Sequence, residues 1–253
     1  MKNHFNIFFY ISLVFFSSLA AAQQTPTQII DDENFTHEMT IGINTNTNSA
    51  LIGGFAFKYG RKINKKQNLA IGIELVNVKS HKEQKFASVS TGNSFIPGKM
   101  NYLYSLRTQI GKEYLLFGKY PEEGIRLSAI FMGGITWGIV KPYYIEYDYT
   151  QPNGYPDYRI VAYEGPTVHS SQNILGKGGF FHGFDKLKLN MGLNAKSSLN
   201  FEFGKGDLLE TVSGVEIGFN IEYFPKEVQV FAVEDNPNIY TSLFMIFYLG
   251  TRY

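Results

Sequence analysis

Residues 187–203 read LKLNMGLNAKSSLNFEF, and the reading of this stretch decides the fold. Leu187, Leu189, Met191, Leu193, Ala195, Leu199 and Phe201, with Ser197 and Phe203, fall on one side of a two-residue repeat. Lys188, Asn190, Gly192, Asn194, Lys196, Ser198, Asn200 and Glu202 fall on the other. A helix would mix these sets, whereas a strand points successive side chains to opposite faces. The stretch is also far longer than the roughly 5–6 residues usual for a strand in a soluble domain. A tilted strand that crosses a bilayer needs about 9–11 residues for the bilayer alone.

The same alternation recurs along the chain. Val215, Ile217, Phe219, Ile221 and Tyr223 alternate with Gly214, Glu216, Gly218, Asn220 and Glu222. Leu51, Gly53, Phe55, Phe57 and Tyr59 alternate with smaller or charged residues that include Ala56 and Lys58, and Leu69, Ile71, Ile73 and Leu75 with Ala70, Gly72, Glu74 and Val76. Met100, Tyr102, Tyr104, Leu106 and Ile110 face away from Asn101, Ser105, Arg107 and Gln109. Residues 125–139 are apolar on both faces but carry Arg126, Ser128 and Thr136 on one. A short first strand near His37–Ile43 and a last one over Tyr240–Tyr253 complete a set of eight. Splitting residues 227–233, or the long loop, into further strands gives ten as the alternative.

The N-terminus reads as an export signal. Lys2 precedes an apolar run from Phe5 to Leu19, and Ala20-Ala21-Ala22 supplies small residues before a cleavage point. Residues 1–22 are expected to be removed as a signal peptide, 23–36 to form an N-terminal periplasmic segment and 37–253 to form the barrel. The chain has no cysteine, so neither a disulfide nor a lipidated cysteine is available. Cleavage takes away Lys2, one of 23 basic residues, and none of the 22 acidic ones, which leaves a formal charge of zero. A nucleic-acid partner would call for a basic excess and is not expected. No later apolar run reaches the ~20 residues of a membrane helix, so a membrane-spanning form must be a closed barrel.

The connections fall into two classes. Those near 62–68, 112–123 and 204–207 are short to moderate; those near 80–98, 142–186 and 225–238 are longer, and 142–186 is the longest. Short periplasmic turns, long external loops and an even strand number are the rule for outer-membrane barrels. The expectation is an all-β fold: a transmembrane, antiparallel, up-and-down β-barrel in the outer membrane of a Gram-negative bacterium. Both termini then face the periplasm, and loop 142–186 is extracellular.

The chain resembles the small outer-membrane β-barrels of Gram-negative bacteria over most of residues 35–253. The final stretch 244-FMIFYLGTRY-253 looks like the C-terminal strand that barrel-assembly machinery recognises, with an aromatic last residue. Arg252 beside that residue, and the richness in Lys, Asn, Tyr and Phe, look similar to barrels of the Bacteroidota. The resemblance is architectural and implies no functional residues.

An eight-stranded barrel is just wide enough to be filled by its own side chains. The inward set is expected to include Lys58, Glu74, Arg107, Arg126, Lys188, Lys196, Glu202, Glu216 and Glu222. An open ion path would show a bias of one sign; this mixture of signs points to a lumen plugged by ion pairs. No cofactor or metal is expected, because His37, His81, His169 and His182 are scattered without ligand spacing. His169-Ser170-Ser171, with Asp185, contains the residue types of a nucleophile and its base, but adjacency in a loop does not establish the geometry they need. Gly176-Lys177-Gly178-Gly179 lacks the full pattern of a phosphate loop and reads as a turn.

The long loop carries the clearest functional signal. Tyr143, Tyr144, Tyr147, Tyr149, Phe180, Phe181 and Phe184 are aromatic where a solvated loop would be polar, and aromatics are enriched at binding surfaces. Expected partners are outer-membrane lipid and lipopolysaccharide, and other outer-membrane proteins met through the extracellular loops. The functional expectation is a non-enzymatic accessory subunit of a larger outer-membrane complex for protein assembly, secretion or surface transport. A stand-alone narrow pore or lipid-binding barrel is the alternative, and a lipid-modifying enzyme a third reading.

Overall fold

The computed structural model describes residues 35–49, 52–80, 82–118, 124–203, 211–232 and 236–253. The expected signal peptide, most of the segment 23–36, Leu51, His81 and the turn at 204–207 lie outside the described residues. Thirteen strands follow in order: β1 (His37–Asn46), β2 (Gly54–Asn64), β3 (Gln67–Val78), β4 (Phe86–Ala87), β5 (Ser94–Phe95), β6 (Asn101–Phe117), β7 (Arg126–Pro142), β8 (Tyr144–Asp148), β9 (Tyr158–Ala162), β10 (Ile174–Lys177), β11 (Lys188–Phe203), β12 (Thr211–Tyr223) and β13 (Ile239–Arg252). Eight of them close into one barrel in the order β1-β13-β12-β11-β7-β6-β3-β2. Every neighbouring pair is antiparallel, and β1 against β13 closes the ring from Glu38↔Arg252 to Asn46↔Phe244. The ten-strand alternative is not realised: Phe231 makes a single bridge to Lys99, and residues 227–230 join no ladder.

Two-residue alternation sorts the barrel into an apolar outside and a polar inside. On β11, Leu189, Met191, Leu193 and Leu199 are exposed while Asn194, Lys196, Ser198, Asn200 and Glu202 are buried. Ile41 and Ile43 on β1, Phe55 and Phe57 on β2, Ile71, Ile73 and Leu75 on β3, and Leu243, Phe247 and Leu249 on β13 extend that outer face around the ring. A soluble protein would expose such a band to water at large cost, whereas lipid tails solvate it and the closed ladder leaves no strand edge. The outside is that of a membrane-spanning barrel.

The wall is not of even height. β6 and β7 each run 17 residues and β11 runs 16, against 10 and 11 for β1 and β2. Lys188 to Gly192 pair with β7 but not with β12, whose ladder with β11 ends at Leu193↔Tyr223. One side of the barrel therefore stands taller, and the segment expected as a long loop continues it. That segment holds a sheet in the order β10-β8-β9, beside the β4–β5 hairpin. This rim of folded structure is termed the lip. At the other end, β6 continues to Phe117, past the expected end of its strand near Ile110, so Glu113 lies within the wall and not in a turn.

Candidate functional site

Three regions could carry function: the lumen, its two mouths and the lip. In the lumen, Arg107 on β6 lies between two carboxylates, with Nη1 3.0 Å from Glu74 and Nη2 2.8 Å from Glu222. Lys196 on β11 bridges the same Glu74 at 2.6 Å and Glu216 at 2.8 Å. Nearer the chain termini, Arg252 donates to Glu38 at 2.8 Å and to Glu202 at 2.9 Å. Lys58 stands 3.7 Å from Glu38 and 3.6 Å from Glu113. Gln109 donates to Asn194 at 2.7 Å, Asn194 to Thr136 at 3.0 Å and Ser198 to Glu216 at 2.6 Å. Ser128 hydrogen-bonds Glu113. A small void lined by Lys58, Glu74, Gln109, Lys196, Glu216 and Tyr248 remains between these groups.

Eight of the nine residues expected inside are buried there: Lys58, Glu74, Arg107, Arg126, Lys196, Glu202, Glu216 and Glu222. Lys188 has the same parity but is exposed, because it sits at the rim end of β11 above the level where the ring closes. The expectation missed Glu38, Glu113 and Arg252, which are buried with the rest. The parity of β1 and β13 carries the signal for Glu38 and Arg252, and the unread end of β6 hid Glu113. With these included, six glutamates meet five bases in the lumen among the described residues. Charges so confined persist only when paired, because desolvation of each costs several kcal/mol.

Each mouth has its own stopper. At the lip end, Val228, Val230 and Phe231 fold inward from the 224–238 connection and pack on Val76, Val78, Leu103, Val140, Phe224 and Tyr240. The segment is tied down by Met100 N donating to Val230 O at 2.8 Å, and by Val230 N and Phe231 N donating to Asn236 Oδ1 at 2.8 and 2.9 Å. Phe224 has room because Gly138 and Gly192 lie beneath its ring: a Cβ on either would come within 2.8 Å of it. At the terminal end, Phe35 is buried under the guanidinium groups of Arg252 at 4.3 Å and Arg126 at 5.4 Å, with Lys62 at 5.1 Å. Among the described residues, these side chains fill both ends of the lumen.

The lip is filled in a different way. Phe95, Tyr143, Ile145, Tyr147, Tyr163 and Ile174 form an apolar core of its own. His169 is buried against it, its ring 4.9 Å from that of Tyr147 and 5.8 Å from that of Tyr163. Glu164 N–H donates to His169 Nδ1 at 3.2 Å, so Nε2 carries the proton and faces the Tyr149 hydroxyl at 3.0 Å. Burial pushes the imidazole pKa down against a weaker opposing pull from Glu164. At the base of the lip, Lys99 pairs with Glu83 at 2.6 Å; burial pushes its amine down despite that partner.

This geometry separates the aromatic residues expected to bind a partner. Tyr143 and Tyr147 are core residues, and Tyr144 and Tyr149 are half-buried, so the docking role expected of Tyr143 and Tyr147 is corrected to a packing role. Tyr143, just before β8, and Tyr147 within it lie on the side of the strand that packs into the lip core. Phe180, Phe181 and Phe184 are exposed, with ring centroids 5.4–6.4 Å apart. Strand β9 is an edge of the lip sheet and exposes Tyr158 and Ile160. The Ser–His constellation does not assemble: both His169 ring nitrogens are engaged by Glu164 N–H and the Tyr149 hydroxyl, and His182 leans on Gly179 O and the Tyr144 ring. No group of three or more metal-ligating side chains occurs among the described residues.

No family model matches the chain. No curated protein matches it either. Among solved structures, the chain is similar to Ail, the attachment invasion locus protein of Yersinia pestis, in its complex with the heparin analogue sucrose octasulfate. The two are 10% identical, with a TM-score of 0.41 over 87% of this chain and 99% of that one. Neisserial surface protein A is 11% identical, with a TM-score of 0.36 over 87% and 97% of the two chains. The N-terminal β-barrel domain of Pseudomonas aeruginosa OprF is 6% identical, with a TM-score of 0.35 over 86% and 97%. These are likenesses of general shape and bring no residue correspondence to this chain.

Proposed function

We propose that the chain is a non-enzymatic, non-conducting β-barrel of the Gram-negative outer membrane, and that it serves as an accessory subunit of a larger complex in that membrane. The observation that carries this reading is the sealed lumen: ion pairs fill its length and a stopper closes each mouth. Among the described residues the interior is filled and no nucleophile–base pair assembles, which favours the lip as the working surface. A folded sheet with its own core presents Tyr158 and Ile160 on the open edge of β9, and such an edge suits a partner that adds a strand. The orientation in this reading places the termini and short turns in the periplasm and the lip outside.

Extraction in a mild detergent followed by native electrophoresis tests the reading. The protein is expected to migrate with a second outer-membrane protein, and Tyr158→Arg with Ile160→Arg to release it. A strictly monomeric barrel under the gentlest extraction would contradict the accessory role.

A further inference from the structure

The outward side chains of β7 run Ile135, Trp137, Ile139 and Lys141 toward the lip; beside them on β11 run Leu193, Met191 and Leu189, with Leu187 just before that strand. Both columns belong to the lipid-facing surface, and both end under the Phe180–Phe184 turn. Lys141 is the last outward residue of its column but is only 2% exposed. Its ammonium donates to Phe180 O and lies 4.4 Å from the rings of Phe180 and Phe184 and 5.5 Å from that of Tyr102. No carboxylate pairs with it among the described residues, unlike the bases of the lumen. Above it the rings of Phe180 and Phe181 are 62% and 84% exposed. Residues 177–188 add Lys177, Lys186 and Lys188, all exposed, against Asp185 alone.

We propose that Phe180, Phe181 and Phe184 form a wedge set into the outer edge of the bilayer, and that Lys186, reinforced by the buried charge of Lys141, holds the phosphate of a lipid headgroup beside it. The occupant is a membrane lipid and not a protein, because the wedge continues the lipid-facing columns without a break. Aromatic rings favour the headgroup level, and an apolar surface tipped with unpaired ammonium groups matches acyl chains below a phosphate. The seat lies on one side of the barrel, where β7 and β11 carry the lip. The inference rests on the barrel spanning a membrane but not on the accessory role.

Trp137 is the only tryptophan and stands on the same column, two outward positions below Lys141. The full barrel is reconstituted in phosphatidylcholine vesicles that contain either brominated phosphatidylcholine or brominated phosphatidic acid, and quenching of Trp137 is followed against mole fraction. Brominated phosphatidic acid is expected to reach half-quenching at an about fivefold lower mole fraction, the preference that roughly one basic side chain creates at an anionic lipid surface. Lys186→Gln is expected to remove that preference while both lipids still quench, Phe181→Ser to weaken it, and Lys188→Gln, on the inner side of β11, to leave it in place. Equal quenching of the unaltered protein by the two lipids would overturn the seat; if Phe181→Ser then also released a protein partner, the wedge would belong to that partner. Quenching by neither lipid would overturn the membrane placement itself, and the seat with it.

Discussion

The lumen and the lip are both closed volumes built from alternating strands, yet they are filled by opposite chemistries. Between β3, β6, β11 and β12 the filling is ionic: Arg107 and Lys196 share Glu74, and each holds a second glutamate. In the lip the filling is aromatic, and its buried titratable ring, His169, is neutral and held by a backbone N–H and a phenol. A barrel in lipid must turn its apolar side outward, so its polar side chains meet in the middle and have to satisfy one another. The lip stands clear of that constraint and packs like the core of a soluble domain. The difference teaches that residue parity has one meaning inside the bilayer and the reverse meaning beyond it.

Substitutions should separate the two regions. The largest effect is expected from Arg107→Met, which strips Glu74 and Glu222 of a shared partner and leaves buried charge unpaired. A loss of about 3–5 kcal/mol is expected, read as a lower urea midpoint for the gel shift between folded and unfolded barrel. Next comes Ile145→Ala, which opens a cavity in the lip core and costs about 2–4 kcal/mol there. Limited proteolysis should cut between β8 and β10 while the barrel's gel shift stays unchanged; a fall in barrel stability would mean that the two regions unfold as one.

A smaller effect is expected from pH. Folding holds His169 neutral with a lowered pKa, so the unfolded ring takes up a proton first as pH falls. The stabilisation of the lip is complete above the ordinary histidine pKa near 6.5 and declines below it. Amide exchange at Tyr147 and Tyr163 should therefore quicken from pH 7 to pH 5, and His169→Gln should remove the dependence. The smallest effect is expected from Arg159→Ala. Arg159 and Asp157 form a pair in open solvent at 2.6 Å, and its loss should leave both unfolding transitions in place.

The barrel is legible in the sequence because its walls obey one rule from end to end. Alternation in 187–203 alone separates Leu193 from Asn194 and Leu199 from Asn200, and the same parity turns Glu74 and Arg107 inward, where the structure pairs them across β3 and β6. Legibility fails where an element changes solvent. Tyr143 and Tyr147 read as loop aromatics because the lip strands are too short to show a period, and their inward direction follows only from pairing with β9 and β10. Lys188 shares the parity of the lumen residues, but a rim position depends on how far the neighbouring strand extends. The inward fold of Val228, Val230 and Phe231 is set by Asn236 and by the backbone of Met100, contacts that no local pattern announces.

The central claim is that nothing passes through the barrel and that the lip is what the molecule offers to its surroundings. Planar-bilayer recording of the purified full chain tests this most directly. A lumen filled by Lys58, Glu74, Arg107, Lys196 and their partners, with a stopper at each mouth, predicts no unitary current steps at any applied voltage that the bilayer survives. Reproducible steps of one size, abolished by a blocker or shifted in selectivity by Glu74→Gln, would contradict it.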